Sequence, residues 1–283
     1  MIKLGIIGYP IGHSLSPVMH KAAFDYYGMS ADYQTLETQP EDIISRIKYL
    51  KVNNFTGFNV TIPLKVWITP LLNDVDDAAN LAGAVNTVLI RENKDLSGYN
   101  TDIHGFVSAI PNEFKLSLMK GKAAVLGAGG AARAVAVALI QLGISEITFY
   151  ARNQEKAFQL RDVLIINFPG TVINVQQFSE FADFSSASIV INTTPIGMEG
   201  VNQIVSPITK RSIESISENA IVYDLIYKPQ ETILLRYAKS RGLFTISGAE
   251  MLVQQGAKAF EIWTGKEAPV DVMRKAVLKS YKS

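Results

Sequence analysis

The sequence predicts an α/β protein of two domains, each a mainly parallel sheet with helices on its faces. Three observations carry this expectation. Strand-like and helix-like patterns alternate from the first residues, as they do in α/β folds. The alternation restarts near residue 105 with a second series. The chain of 283 residues also reaches the size, roughly 250–300 residues, at which a single hydrophobic core stops growing.

KLGIIG (3–8) is a short apolar run and reads as a buried strand. SPVMHKAAFDYYG (16–28) reads as a helix with Ser16 as N-cap, Pro17 at N1 and Gly28 as the stop. DYQTLE (32–37) is strand-like and EDIISRIKYLKV (41–52) helical. FTGFNVTI (55–62) alternates as a half-buried strand, Pro63 ends it, and Lys65 sits just past the stop. A helix around 103–110 leads through Pro111 and Asn112 to the second series. That series comprises KAAVLG (122–127), EITFYA (146–151), a helix over 154–167, VINVQQ (172–177), SIVINTT (188–194) and AIVYDLI (220–226). It is expected to end near residue 240. GAEMLVQQGAKAFEIWTG (248–265) and PVDVMRKAVLKSY read as helices with no new strand, packed on the first domain or bridging the two.

Composition narrows the function. Lys and Arg number 27 against 26 Asp and Glu, so no basic field exists to hold a nucleic-acid backbone. With no cysteine, disulfides, thiolate metal sites and thiol nucleophiles are excluded, and the three histidines, His13, His20 and His104, lack metal-ligand spacing. No metal is expected. No apolar run approaches the ~18 residues that a membrane span needs, and the Gly- and Pro-broken start does not read as a signal peptide. A soluble cytoplasmic protein is the expectation, with no nucleic-acid or membrane partner.

VLGAGGAARAVAVAL carries the strongest local signal. Gly127, Gly129 and Ala132 satisfy G-x-G-x-x-A between a strand and a helix, the context in which bare backbone approaches a pyrophosphate at a helix N-terminus. An NAD site usually places an acidic residue roughly 20 residues further on. Here the next strand ends in FYARNQEK, and Arg152 and Lys156 suit a 2′-phosphate instead, which points to NADP.

Polar residues crowd the strand ends and turns of the first domain: Ser14 and Ser16, Asn59 and Thr61 on one strand face, Asn86 in AGAVNT and Asp102 in GYNTD. Singly, each has an ordinary alternative: Ser16 as a helix cap, Asn86 as a turn former, Asp102 as the cap of the next helix. Together they describe a neutral-to-cationic pocket for a small polyhydroxylated acid.

The combination resembles the shikimate dehydrogenase family. HSLSP (13–17), FNVTIPLK (58–65), AGAVNT (82–87), GYNTD (98–102), LGAGGAAR (126–133), NTTPIGM (192–198), DLIY (224–227) and the 248–265 segment are spread along the chain in the family's order. The resemblance implies an N-terminal α/β substrate domain with a mainly parallel sheet, residues 1–103, completed by the C-terminal helices of 241–283. It implies a Rossmann-type doubly wound NADP-binding domain, residues 104–240, with a cleft between the two. The implied reaction is reversible NADPH-dependent reduction of 3-dehydroshikimate to shikimate, a step toward the aromatic amino acids, in a monomer or homodimer.

By the same resemblance Lys65 and Asp102 are the catalytic pair, and Ser14 and Ser16 meet the substrate carboxylate. Asn59, Thr61, Asn86 and Gln255 meet its hydroxyls, with Tyr227 lining the pocket. Gly127, Ala128, Gly129, Gly130 and Ala131 lie along the pyrophosphate, and Arg152, Asn153 and Lys156 meet the adenosine 2′-phosphate side. Thr194, Met198 and Gly248 border the ribose and nicotinamide. The chain departs from the family pattern at Leu64, Ile103 and Ala151, the last where Asn is common, with Asn153 standing in for a Thr. The nearest rivals are a quinate or dual quinate/shikimate dehydrogenase and a silent dinucleotide-binding sensor of the same fold. Burial at a strand end disfavours a lysine's charge and a nearby carboxylate favours it, so Asp102 is expected mainly to orient Lys65.

Overall fold

The computed structural model describes residues 1–281. The chain divides into two compact units, residues 1–105 with the chain from 252 onward, and residues 106–251.

The first unit opens with β1 (Ile2–Gly8), α1 (Ser16–Tyr26), β2 (Ala31–Glu37), α2 (Ile43–Val52) and β3 (Gly57–Val60). There follow β4 (Asp74–Val75), α3 (Asp77–Ala82), β5 (Thr87–Ile90), β6 (Leu96–Tyr99) and α4 (Thr101–Ala109), which runs on into the second unit. The sheet order is β2-β1-β3-β5-β6-β4. β1 pairs in parallel with β2 and β3, and β4 with β6, whereas β3–β5 and β5–β6 are antiparallel. The β5–β6 hairpin was not anticipated, because strands of four residues each are too short to display a period. Ile43, Ile47 and Leu50, spaced along one face of α2, pack with Ile7, Phe58, Val60, Leu64 and Ile68 in the core.

The start of α1 differs from expectation. Ser16 is not the N-cap: it opens the helix behind Leu15, no side chain caps that end, and Pro17 is the second residue. Ser14 Oγ takes the Ser16 N–H instead, at 3.3 Å. The end is as expected: Tyr26 is the last helical residue, Tyr27 the C-cap, and Gly28 stops the helix with a φ of +61°.

The second unit contains α5 (Asn112–Leu118), β7 (Lys122–Leu126), α6 (Gly130–Gln141), β8 (Glu146–Ala151), α7 (Gln154–Asn167), β9 (Val172–Gln177) and β10 (Ile189–Asn192). It continues with α8 (Lys210–Ser215), β11 (Ile221–Asp224), α9 (Ile233–Ser240) and β12 (Phe244–Ser247). All its strand pairs are parallel, in the order β9-β8-β7-β10-β11-β12. In chain order within this sheet that is 3-2-1-4-5-6, the doubly wound arrangement. The sheet therefore extends past the expected limit of 240. β12 escaped notice because it is a four-residue edge strand, and an edge position leaves its apolar run incomplete.

The last helices are α10 (Gly248–Thr264) and α11 (Val270–Lys279). In the first unit α11 packs on α1, and Tyr27 Oη donates to the Glu267 carbonyl at 2.8 Å. Among the described residues no helix is long and apolar enough to cross a membrane.

Candidate active site

Lys65 is delivered by a turn, residues 61–68, that follows β3. Leu64 N–H donates to the Thr61 carbonyl at 2.8 Å and Ile68 N–H to the Leu64 carbonyl at 3.0 Å. Leu64 and Ile68 are fully buried and pin the turn to the core, which leaves Lys65 between them at its surface. Its Nζ donates to Asp102 Oδ2 at 2.5 Å, with the side chains 13% and 6% exposed.

Asp102 is free to accept that bond because it does not cap its helix. Asn100 does so, its Oδ1 accepting from the N–H groups of Asp102 (3.1 Å) and Ile103 (3.3 Å), while its Nδ2 donates to the Ala84 carbonyl at 2.8 Å. The capping alternative for Asp102 is thereby removed.

The other carboxylate oxygen, Asp102 Oδ1, accepts from Asn86 Nδ2 at 2.8 Å. The same amide nitrogen lies 2.9 Å from Thr101 Oγ1 and 3.3 Å from Gln255 Oε1, and Asn86 Oδ1 accepts from Thr101 N–H at 2.7 Å. Asn86 is thus an organising amide. Asn59 Nδ2 donates to Thr87 Oγ1 (3.1 Å) and to the Asn86 carbonyl (3.2 Å), and its Oδ1 accepts from Tyr33 Oη at 2.6 Å. One hydrogen-bonded chain therefore joins Tyr33, Asn59, Thr87, Asn86, Asp102 and Lys65.

Of the eight expected residues that fall in this unit, Lys65, Asp102, Asn86, Gln255 and Asn59 are joined by hydrogen bonds, Asn59 to the Asn86 carbonyl as well as to Thr87. Ser14 and Ser16 meet each other, with Ser16 buried. Thr61 is half-buried and holds its turn through its backbone. Thr87, Thr101 and Tyr33 were missed. The two threonines stand within AGAVNT and GYNTD, so the motifs contained them, but nothing in the sequence says that strands β5 and β6 pair and bring them together.

The remaining expected residues lie in the second unit. Gly127 follows β7 at φ +106°, and a Cβ there would stand 2.7 Å from Thr193 Oγ1. Gly129 is the N-cap of α6, contributes no side-chain cap, and nothing approaches within 4 Å of where its Cβ would be. An uncapped helix start behind bare backbone with open space beside it fits a dinucleotide phosphate. Ala128 completes this loop, and Gly130 and Ala131 are the first two residues of α6. Arg152 and Lys156, just past β8, are exposed cations. Asn153 Oδ1 is engaged in capping α7, accepting from Lys156 N–H at 3.0 Å, as a Thr there could.

Thr194 lies beyond the end of β10, with N–H 3.0 Å and Oγ1 2.7 Å from Asn192 Oδ1. Met198 closes the same loop, its N–H donating to the Pro195 carbonyl at 3.1 Å. Tyr227, half-buried, follows β11. Gly248 begins α10 with its N–H on the Ile226 carbonyl, and a Cβ there would stand 2.0 Å from the Leu225 carbonyl oxygen. Close backbone approach thus explains this glycine. Beneath these loops Asp224 is fully buried. Burial raises its carboxyl to about 6 against the hydrogen bonds from Thr232, Ile226 and Asn192.

Two family models match: one described as the shikimate dehydrogenase substrate binding domain over residues 6–88, and one as the shikimate 5′-dehydrogenase C-terminal domain over residues 248–278. A Synechocystis protein named shikimate dehydrogenase (NADP(+)) is 44% identical over 276 residues, covering 97% of this chain and 94% of that protein. The shikimate 5-dehydrogenase of Thermus thermophilus, solved with NADP(H) and shikimate, superposes with a TM-score of 0.83 at 34% identity, covering 99% of this chain and 100% of that one. A quinate dehydrogenase from Corynebacterium glutamicum, solved with NAD, gives a TM-score of 0.86 at 30% identity over 98% of this chain and 99% of that one.

Proposed function

This chain belongs to the shikimate dehydrogenase family, and we propose that it reduces 3-dehydroshikimate reversibly to shikimate, with Lys65 supplying the proton. It is an NADP-dependent oxidoreductase of aromatic amino acid biosynthesis. The observation that carries the mechanism is the Lys65–Asp102 contact of 2.5 Å between two nearly buried side chains.

Bound NADPH supplies the hydride that converts the substrate carbonyl carbon to an alcohol carbon. The developing alkoxide takes a proton from Lys65 Nζ and becomes the product hydroxyl, and solvent then restores the proton to the amine. An ammonium has three N–H donors. With one held by Asp102 Oδ2, the others remain for the reacting oxygen, and their direction is set by the carboxylate. Asn86 fixes that carboxylate in turn, so each member of the pair has one orientation before substrate arrives. In the reverse direction Lys65, as the amine, takes the proton back.

We assign Ser14 and Ser16 to the substrate carboxylate and Asn59, Thr61, Asn86 and Gln255 to its hydroxyls, with Tyr227 beside the ring. The loop Gly127–Ala131 would hold the pyrophosphate, Arg152, Asn153 and Lys156 the 2′-phosphate side, and Thr194, Met198 and Gly248 the ribose and nicotinamide side. The first unit is accordingly the substrate domain. The second, whose sheet ends at Ser247, is the NADP domain. Supporting the preference for NADP is the pair of exposed cations past β8, where a carboxylate would serve NAD.

The test is initial-rate NADP+ reduction with shikimate, quinate and a buffer control. Shikimate should give the dominant rate. An equal or faster rate with quinate would favour the quinate reading, which the likeness to the Corynebacterium enzyme keeps in view. Dinucleotide binding without turnover on either polyol would make the protein a sensor.

A further inference from the structure

We propose that Asp224 is a positioning residue for the dinucleotide: acting through Asn192, it holds the 194–198 loop in the conformation that the cofactor meets. This rests on the NADP-binding function proposed above.

Asn192 and Asp224 are register partners at the ends of neighbouring parallel strands, and Leu126, just before Gly127, pairs with Asn192 on its other side. Ligands of doubly wound sheets bind outside these strand ends. Every hydrogen-bonding capacity of the Asn192 amide is used. Its Nδ2 donates to Asp224 Oδ1 at 3.0 Å and to the Ile196 carbonyl at 3.2 Å. Its Oδ1 accepts both the N–H and the hydroxyl of Thr194. Two acceptor-only groups, the Asp224 carboxylate and the Ile196 carbonyl, meet the nitrogen and fix Oδ1 toward Thr194. Of the two, Asp224 is the one outside the loop, so it ties the amide, and through it the loop, to β11.

Asp224 is itself held in place. Its Oδ1 also accepts from Ile226 N–H at 3.1 Å, and its Oδ2 accepts from Thr232 Oγ1 at 2.7 Å. The far end of the loop has its own tie: Glu199 N–H donates to the Lys228 carbonyl at 2.9 Å, and their side chains form an ion pair at 3.2 Å. The near end also meets the glycine loop, where Thr193 Oγ1 donates to the Leu126 carbonyl at 2.7 Å. The loop is therefore anchored at both ends, and Asp224 is the one charged group in its buried anchor. A fully buried carboxylate carries a desolvation penalty that an apolar residue of similar volume would not, so simple strand packing does not account for it.

Isothermal titration calorimetry with NADP+ tests this on the full chain. Asp224→Ala should weaken NADP+ binding by roughly tenfold or more, since it removes the bond that ties Asn192 and its loop to β11, while the KM for shikimate changes less than about twofold. Asp224→Asn, which can keep the acceptor facing Asn192 and Ile226, should recover most of the affinity. Asn192→Ala should match Asp224→Ala, and the double variant should be no weaker than either alone, because both act on one path. If Asp224→Ala does not fold, Asn192→Ala serves by itself, since it leaves Asp224 its bonds to Ile226 and Thr232. Unchanged NADP+ affinity in either folded variant, or losses that multiply in the double variant, would overturn the inference alone. Wild-type protein that binds no dinucleotide would overturn the functional proposal as well.

Discussion

Lys65 and Asp102, 37 positions apart in sequence, meet at 2.5 Å among polar side chains, where both are almost fully shielded from water. Replacing Lys65 by Ala should lower kcat by roughly two to four decades, the range for a positioned acid or base, with a far smaller change in the KM for shikimate. Lys65→Arg separates proton transfer from charge stabilisation. Arginine keeps the charge and does not titrate in proteins, so a proton donor predicts a loss close to that of Lys65→Ala. Near-normal turnover in Lys65→Arg would reduce Lys65 to an electrostatic clamp.

Asn86 bridges Asp102 to Thr101 and Gln255. Asn86→Ala leaves the carboxylate in place with one oxygen unpartnered, so turnover should fall by roughly one to two decades, less than for Lys65→Ala. Steady-state rates of the two variants side by side give the order, and the reverse order would remove Asn86 from the orienting role.

Arg152 is an exposed cation just past β8. Arg152→Ala should raise the KM for NADPH by roughly tenfold and leave the KM for NADH nearly unchanged, since only the former carries the 2′-phosphate. Equal losses with both dinucleotides would show that Arg152 does not read the phosphate.

His20 predicts a dependence of stability on pH. The ring is fully buried, stacked on Tyr33 at 4.7 Å, and burial lowers its pKa to about 3. Between the unfolded value near 6.5 and about 3, the unfolded chain binds a proton that the folded chain refuses. This contribution is therefore complete above ~6.5 and lost as pH falls, by about 5 kcal/mol over the whole span. Asp224 acts in the opposite sense: its raised pKa means that the folded form takes up a proton first, so stability rises as pH falls through about 6 toward 3.8. Comparing wild type with His20→Leu cancels the Asp224 effect. From pH 7 to 5, wild type should lose roughly 2 kcal/mol more than the variant in urea unfolding. Identical pH slopes would contradict the burial of a neutral ring.

Gly248→Ala forces a Cβ to 2.0 Å from a backbone oxygen that cannot swing aside as a side chain would. The cost should be about 3 kcal/mol or more, read as a lower Tm with a weaker start to α10. An unchanged Tm would mean that the Leu225–Ile226 segment yields easily.

Much of the site was legible because its residues sit in short local motifs. Lys65 was placed past a strand end by alternation and Pro63, and the turn of residues 61–68 bears this out. The glycine loop announced itself between β7 and α6. Asp102 was legible as a residue but ambiguous as a group, since an Asp at a helix start is as often a cap as an acid. The ambiguity ended with Asn100 Oδ1, which caps α4 and releases the carboxylate. For Ser16 the opposite happened: the sequence suggested a cap, and the helix begins one residue earlier than a cap requires. Tyr33, Thr87, Asn192 and Asp224 gave no signal, because a polar residue at a strand end has meaning only beside its neighbour on the next strand.

Sequence by itself determined the second unit's parallel series, the place of its glycine loop between β7 and α6, and the short motifs that carry Lys65 and Asp102. Periodicity, proline and glycine act over a few residues, so they are written locally. Tertiary structure decided the β5–β6 hairpin, the edge strand β12, which way the buried amides of Asn86 and Asn192 face, and which oxygen of Asp102 meets Lys65. Those outcomes depend on hydrogen bonds between residues far apart in the chain, formed where water is excluded and an unpaired polar group is costly. Only the register of the folded strands brings those partners together.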